Sequence, residues 1–419
     1  MKNFESVIGY DDIKLELSRV LDTVANPEKY KALGVKVPSG ILLYGAPGVG
    51  KTLLATSFVK ASGRPYFVCR KDRPNGEFVN EIRNVFEKAR EAAPSIVMLD
   101  DLDKFANSDR NSSNNEEYVT VQSCIDEIKN DGKEVFVLAT ANNIKNLPDS
   151  LIRAGRFDKN IEVGTPNLSN AVGIIRHYLS GKPIVSDLDY EELARILQGR
   201  SCAELESVIN EAGIYSGYEG RELITKDDVL KAVMRTVFGA PESIEKRPEG
   251  AERRIAVHEA GHALVAQLLD PDGVSIVSIN SYSGGVGGIT SYYQDEGYWF
   301  ELRHMENRVM ALLGGRAATE IRLGEVDTGA TSDVRRAFDI VERFVSDYCI
   351  HGFDKIEKFN SSQTLYEKKE DFIHAELDRY YLQVKRMICE NLSALDRITE
   401  ALMERKTITG RDIRRLRGA

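Results

Sequence analysis

Two short segments carry residues at spacings that can do chemistry. In VHEAGHALVAQLL (257–269), His258 and His262 stand four apart with Glu259 beside the first. On a helix, positions four apart differ by only about 40° in azimuth, so both imidazoles can reach one tetrahedral ion. The pattern predicts His258 and His262 as zinc ligands through neutral imidazole. Glu259 would then serve as a general base that takes a proton from the attacking water and passes it to a leaving amine. A buried apolar helix with one satisfied histidine is the bland alternative. A catalytic zinc usually has three protein ligands. The residues alone leave Glu320, Asp327, Asp333 and His304 open for the third place. Ala260 and Gly261 are small and leave room for another backbone to approach.

The second segment, GAPGVGKT (Gly45, Ala46, Pro47, Gly48, Val49, Gly50, Lys51, Thr52), fits GxxxxGK[ST] between the apolar run ILLY and the helical pattern KTLLATSFVK. Its glycines let backbone N–H groups turn toward phosphate oxygens, and the helix start adds a positive dipole end. Lys51 is expected to reach the β and γ phosphates of ATP, and Thr52 to ligate magnesium. SIVMLDDLDK supplies acids at a strand end: Asp100 for the magnesium shell and Asp101 to polarise the attacking water. Asn142, ending VFVLATANN, could orient that water. Arg153 and Arg156 in LIRAGRFD could reach a γ-phosphate in a neighbouring subunit, with a surface salt bridge as the alternative.

These groups need particular elements to hold them. ILLY, YFVC, SIVML, VFVLAT and NIEV alternate with helical patterns over 1–165, the pattern of a parallel sheet with crossover helices. Amphipathic helices follow over 166–238 and read as a small helical domain. GAPESIEKRPEG (239–250) reads as a linker, and a mainly helical domain over 251–419 carries one β-like insert, VSIVSINSYSGGVGGITSYY. NSDRNSSNNEE (107–117) reads as a polar loop.

With 419 residues and 42% hydrophobic content, two or three domains are expected. A net charge of -9 argues against nucleic acid as a partner. The five cysteines are odd in number and form no CxxC pair, which predicts reduced thiols in a cytoplasmic setting. Nothing approaches 18 successive apolar residues, so no membrane insertion by this chain is expected.

The order of these motifs, from VIGYDDIKLEL to TITGRDIRRL, resembles the FtsH family of AAA+ zinc proteases. The resemblance implies an α/β AAA+ P-loop module, a parallel sheet plus helical lid, followed by a mainly α-helical zinc metallopeptidase domain. It implies Zn2+, ATP and Mg2+ as cofactors, and a homohexameric ring that threads polypeptide substrates into a peptidase chamber. Asn142 would be the first sensor, and Arg153 and Arg156 the arginine fingers acting in trans. Among the open candidates the resemblance selects Asp333, in TGATSDV, as third zinc ligand. A helix-start carboxylate held by the dipole is the alternative for that residue. Glu320 is placed beside a ligand histidine, orienting it. GGITSYY (287–293) resembles the edge strand along which such proteases lay a substrate backbone, with a plain glycine-turned hairpin as the alternative.

The chain departs from the family in four places. It begins directly at the ATPase module without the usual N-terminal membrane helices. Asp101 stands where glutamate is usual, one methylene short, so hydrolysis is expected to be slow. A glycine-phenylalanine signalling segment is missing near KNDGKEVF. In DRPNGEFVNEIRNVF the pore loop is altered and Phe78 is its one sensible pore residue, although Phe78, Ile82, Val85 and Phe86 also lie at core-helix spacing. The leading expectation is an ATP-dependent zinc endopeptidase that unfolds and degrades cytoplasmic proteins. The alternatives are a nucleotide-binding ring with a zinc peptidase but weak unfolding, and a remodelling chaperone with a vestigial peptidase.

Overall fold

A computed structural model describes residues 4–72, 75–106, 115–153, 155–185, 188–239, 249–280, 287–293, 301–326, 328–352 and 363–418. The chain divides into two compact units, Met1–Lys182 with Leu197–Asn210, and Pro183–Ile196 with Glu211–Ala419. Most of the expected linker lies outside the described residues.

In the first unit, α1 (Asp11–Ala25) and α2 (Pro27–Ala32) precede β1 (Gly40–Tyr44), α3 (Lys51–Ser62), β2 (Tyr66–Arg70) and α4 (Asn75–Glu91). Then come β3 (Ser95–Asp100), α5 (Glu116–Asn130), β4 (Val135–Ala141), α6 (Asp149–Ile152), β5 (Lys159–Glu162) and α7 (Leu168–Leu179). All five apolar runs form one parallel sheet in the order β2-β3-β4-β1-β5. β3 and β4 are buried at every position, which is why they read as continuous apolar runs rather than alternating ones. The pairings Tyr44↔Ala141 and Leu99↔Ala139 bring the carboxyl ends of β1, β4 and β3 level. That sheet edge is where parallel α/β folds place ligands, and it carries the P-loop, Asp100, Asp101 and Asn142.

Beneath the edge lies a core that includes α4. Phe78 is fully buried, with its ring edge-on to Phe105 at 4.8 Å between centroids. Ile82, Val85 and Phe86 are buried beside it. The helical spacing therefore wins: Phe78 is a core residue, and the pore reading is corrected.

The second unit contains α8 (Tyr190–Ile196), α10 (Lys226–Val237) and the later part of α9 (Cys202–Tyr218). After these come α11 (Glu249–Leu269), β6 (Val274–Ser278), β7 (Ile289–Tyr292), α12 (Leu302–Leu323), α13 (Thr331–Ser346), α14 (Gln363–Glu390), α15 (Leu392–Arg405), β8 (Thr407–Thr409) and α16 (Gly410–Gly418). The three strands pair antiparallel in the order β7-β6-β8, which leaves β7 at an edge. α11 crosses α12 at glycines. A Cβ added to Gly314 would lie 2.6 Å from the Gly261 carbonyl oxygen, and one added to Gly261 would run into Gly314 and Ala318. Only glycine lets these backbones approach so closely. Among the described residues, no helix is long and apolar enough to cross a membrane.

Candidate active sites

The P-loop leaves β1 and enters α3 through Gly50, which caps the helix in the left-handed region at φ 96°. The Lys51 ammonium donates to the carbonyls of Gly45 and Ala46 at 2.9 and 2.8 Å and to Asn142 Oδ1 at 2.9 Å. Burial lowers its pKa against the opposing pull of Asp101, Asp103 and Asp100. Thr52 Oγ1 donates to Asp100 Oδ1 at 3.1 Å, and Thr140 Oγ1 donates to the same oxygen at 2.7 Å. Thr52 and Asp100 thus meet as a hydroxyl and a carboxylate facing the P-loop, a donor set suited to magnesium.

Asp101 follows β3 with φ 55°, and its N–H donates to Thr140 Oγ1. Its carboxylate is held by Lys104 at 2.7 Å and lies 3.4 Å from Asn142 Nδ2. The Asn142 N–H in turn donates to Asp103 Oδ1 at 3.0 Å. Sequence reasoning passed over Thr140 and Asp103. Asp103 stands in the LDDLDK run, but its role as a backbone acceptor carries no spacing signature.

The two arginines part company. Arg153 is exposed at the end of α6. Arg156 is buried, grips Asp126 with Nε at 3.2 Å and Nη2 at 2.7 Å, and donates to Gln122 at 3.0 Å and to the Ser150 carbonyl.

On α11, His258 Nε2 and His262 Nε2 lie 3.0 Å apart, and Asp333 Oδ2, from the first turn of α13, lies 3.4 Å from each. Among the described residues these three are the one cluster of histidine, cysteine and carboxylate groups able to hold a metal. His262 Nδ1 meets the Ala311 carbonyl at 2.7 Å. A carbonyl only accepts, so this shorter contact favours the proton on Nδ1 and the Nε2 lone pair toward the cluster, against a longer approach of the Gly315 N–H to Nδ1 at 3.3 Å.

The three atoms fit a tetrahedral zinc, whose ligands at 2.0–2.2 Å stand roughly 3.3 Å apart. Two imidazole lone pairs facing each other at this distance repel unless a cation or proton lies between them. A Cβ on Gly315 would stand 2.5 Å from His262 Nε2 and 2.6 Å from His258 Nε2, so that glycine keeps the space open. Glu259 is buried beside the first histidine, and Thr290 Oγ1 of β7 donates to its Oε2 at 2.6 Å. Gly315 and Thr290 carried no signal in the sequence, because each acts across elements rather than along one.

The other ligand candidates fall away from this cluster. His304 is exposed at the start of α12, and Asp327 lies outside the described residues. Glu320 is held by Lys385 at 2.7 Å and by the Tyr381 hydroxyl. The expectation that it orients a ligand histidine is corrected. Five residues past Gly315, it sits about 140° around the helix from the histidines.

Comparison with known proteins identifies the two regions that carry these residues. Residues 41–165 match the ATPase family associated with various cellular activities (AAA), and residues 247–416 match peptidase family M41. The chain is 36% identical to the ATP-dependent zinc metalloprotease FtsH 2 of Symbiobacterium thermophilum over 439 residues, 99% of this chain and 74% of that protein. It is 31% identical to the ATP-dependent zinc metalloprotease FtsH 2 of Thermoanaerobacter over 433 residues, 99% of this chain and 82% of that protein. Against the chloroplastic ATP-dependent zinc metalloprotease FTSH 5 of Arabidopsis thaliana, identity is 33% over 98% of this chain and 63% of that protein. With a P-loop ATPase and an HExxH peptidase matched in one polypeptide along nearly its whole length, the chain belongs to the FtsH family of ATP-dependent zinc metalloproteases.

Proposed function

We propose that this protein uses ATP to unfold cytoplasmic polypeptides and cleaves them at its zinc site, working as a homohexameric ring. The observation that carries the reading is the convergence of His258, His262 and Asp333 next to Glu259 and the edge strand β7. His258, His262 and Asp333 would hold zinc, which when bound would supply Lewis acidity for peptide hydrolysis. Glu259 accepts the proton of the attacking water and delivers it to the leaving amine. A substrate segment pairs its backbone with β7, which selects extended peptide rather than particular side chains.

At the other site, Thr52 and Asp100 hold magnesium with ATP, and Lys51 binds the β and γ phosphates. Asp101 and Asn142 position the water, and the exposed Arg153, rather than the internally bound Arg156, is the arginine free to be offered to a neighbouring copy's γ-phosphate.

The test is cleavage of casein by the zinc-loaded protein with and without ATP, with phosphate release followed in parallel. ATP-stimulated cleavage is expected, and Glu259→Gln should abolish cleavage while ATPase persists. Cleavage indifferent to ATP, with negligible phosphate release, would favour the second reading, a zinc peptidase on a nucleotide-binding ring with little unfolding. Two observations support that alternative: the short Asp101 carboxylate engaged by Lys104, and the burial of Phe78. The complete zinc cluster weighs against a vestigial peptidase.

A further inference from the structure

Glu259 is held from an unexpected direction. Its carboxylate lies against β7, where Thr290 Oγ1 donates to Oε2 at 2.6 Å. A Cβ built on Gly288 would lie 2.6 Å from Glu259 Oε1, 2.7 Å from Cγ and 2.8 Å from Cδ. Gly288 immediately precedes β7, and positions 288 and 290 together form a cradle for the glutamate, one by its missing side chain and the other by its hydroxyl. β7 is also the edge strand of its sheet, so one element offers backbone groups to an arriving extended chain and at the same time holds the base.

We propose that Thr290 and Gly288 are positioning residues for Glu259, fixing the carboxylate so that a chain paired with β7 meets a correctly oriented base. The proposal rests on the reading of Glu259 as general base. The Thr290 hydroxyl satisfies one carboxylate oxygen and leaves Oε1 for the proton of the attacking water. A glutamate has three side-chain torsions, and without this bond the carboxylate spreads over several rotamers, most of them unproductive. Gly288 acts by space. The atoms its Cβ would displace are the flexible end of Glu259, so an added methyl moves the base at little cost to the fold.

The test uses the full-length, zinc-loaded protein and a short fluorogenic peptide that needs no unfolding, with kcat and KM read separately and zinc content and ATP turnover measured beside them. Thr290→Val is expected to lower kcat about tenfold with KM within about twofold, because orientation rather than binding is lost. Thr290→Ser restores kcat to within about threefold of wild type, since it keeps the donor. Gly288→Ala lowers kcat by a similar factor, with zinc content and ATP turnover unchanged, and tests the idea even if the valine variant does not fold. Wild-type kcat in Thr290→Val or Gly288→Ala, or a serine variant as slow as valine, overturns the positioning role provided that Glu259→Gln is inactive. Activity retained in Glu259→Gln overturns the general-base reading itself, and the proposal with it.

Discussion

The ammonium of Lys51 lies 2.9 Å from Asn142 Oδ1, which joins the P-loop to the end of β4. Its other two donors are taken by the carbonyls of Gly45 and Ala46, so all three protons of the amine are committed. A phosphate oxygen, carrying formal charge, is a stronger acceptor than a neutral amide. Nucleotide is therefore expected to draw Lys51 away from Asn142 and leave Oδ1 to a water. Asn142→Ala is expected to keep nucleotide binding while ATP turnover falls by about 10- to 100-fold. Lys51→Ala should lose binding and only the ATP-dependent share of cleavage. Titration with a fluorescent nucleotide beside phosphate release separates the two, and equal loss of binding in both variants would contradict the arrangement.

Asp101 is engaged by Lys104 and lies next to Asn142. If its short reach limits hydrolysis, Asp101→Glu raises ATP turnover severalfold. Asp101→Asn lowers turnover at least tenfold with ADP affinity unchanged, because an amide cannot polarise the water as a carboxylate does. Steady-state phosphate release checks both, and a slower glutamate variant would show that the pocket is built around aspartate.

His262 and Asp333 give a pH prediction whose sign depends on the metal. In zinc-free protein, burial alone would depress the His262 pKa, but the hydrogen bond to Asp333 and the charges of Glu259 and Asp333 outweigh it, and the net shift is upward. Burial pushes Asp333 up, yet hydrogen bonds from His258 and His262 hold it well below the usual carboxylate range. A raised histidine contributes stability below its unfolded value of about 6.5, lost as pH rises through its folded value. A depressed aspartate contributes above about 3.9, lost as pH falls through its folded value. The zinc-free pair therefore stabilises most between about pH 4 and 6.5. With both proteins chelated, the gap in melting temperature between wild type and Asp333→Asn should be wider at pH 6 than at pH 8. Zinc requires neutral imidazole and reverses the slope, so in loaded protein the gap widens toward pH 8. A chelated gap larger at pH 8 would refute the assignment.

Gly261→Ala forces a methyl against Gly314 and Ala318. Overpacking of this kind costs about 1–3 kcal/mol, and prising α11 from α12 should also reduce bound zinc. Denaturant unfolding and metal analysis on the same sample test both, and a fully stable, zinc-replete variant would mean that the helices can slide apart freely.

Phe78→Ala should destabilise by about 3–5 kcal/mol, the usual cost of emptying a buried aromatic site. An unchanged unfolding midpoint together with lost degradation of folded substrates would instead return Phe78 to the pore.

How much of this was legible from residue order depended on distance along the chain. Lys51 with the glycines, and His258 with His262, are separated by less than two helical turns, so spacing alone implied geometry. The central strands β1, β3 and β4 were readable because burial on both faces makes their apolar runs continuous. Asp333 stands 71 positions after His262, and no local pattern marked it as a partner for the histidines until the resemblance selected it. Phe78 was ambiguous because an aromatic at helical spacing serves core and pore alike, and only packing against Phe105 decides. Glu320 misled because its position on α12 was counted without its azimuth. Thr290 was invisible: its meaning lies wholly in a hydrogen bond across 31 residues.

The glycine crossing of α11 and α12 has a consequence for how this site can change over time. Two backbones in direct contact help set the positions of the histidines, and the residues around the crossing are themselves buried, so changes on either helix near it have little room to be absorbed. Substitution at 261, 314 or 315 is penalised by shape, whatever the chemistry of the newcomer. Room for change lies instead at the ends of the two helices, where Arg253 and Arg322 are exposed.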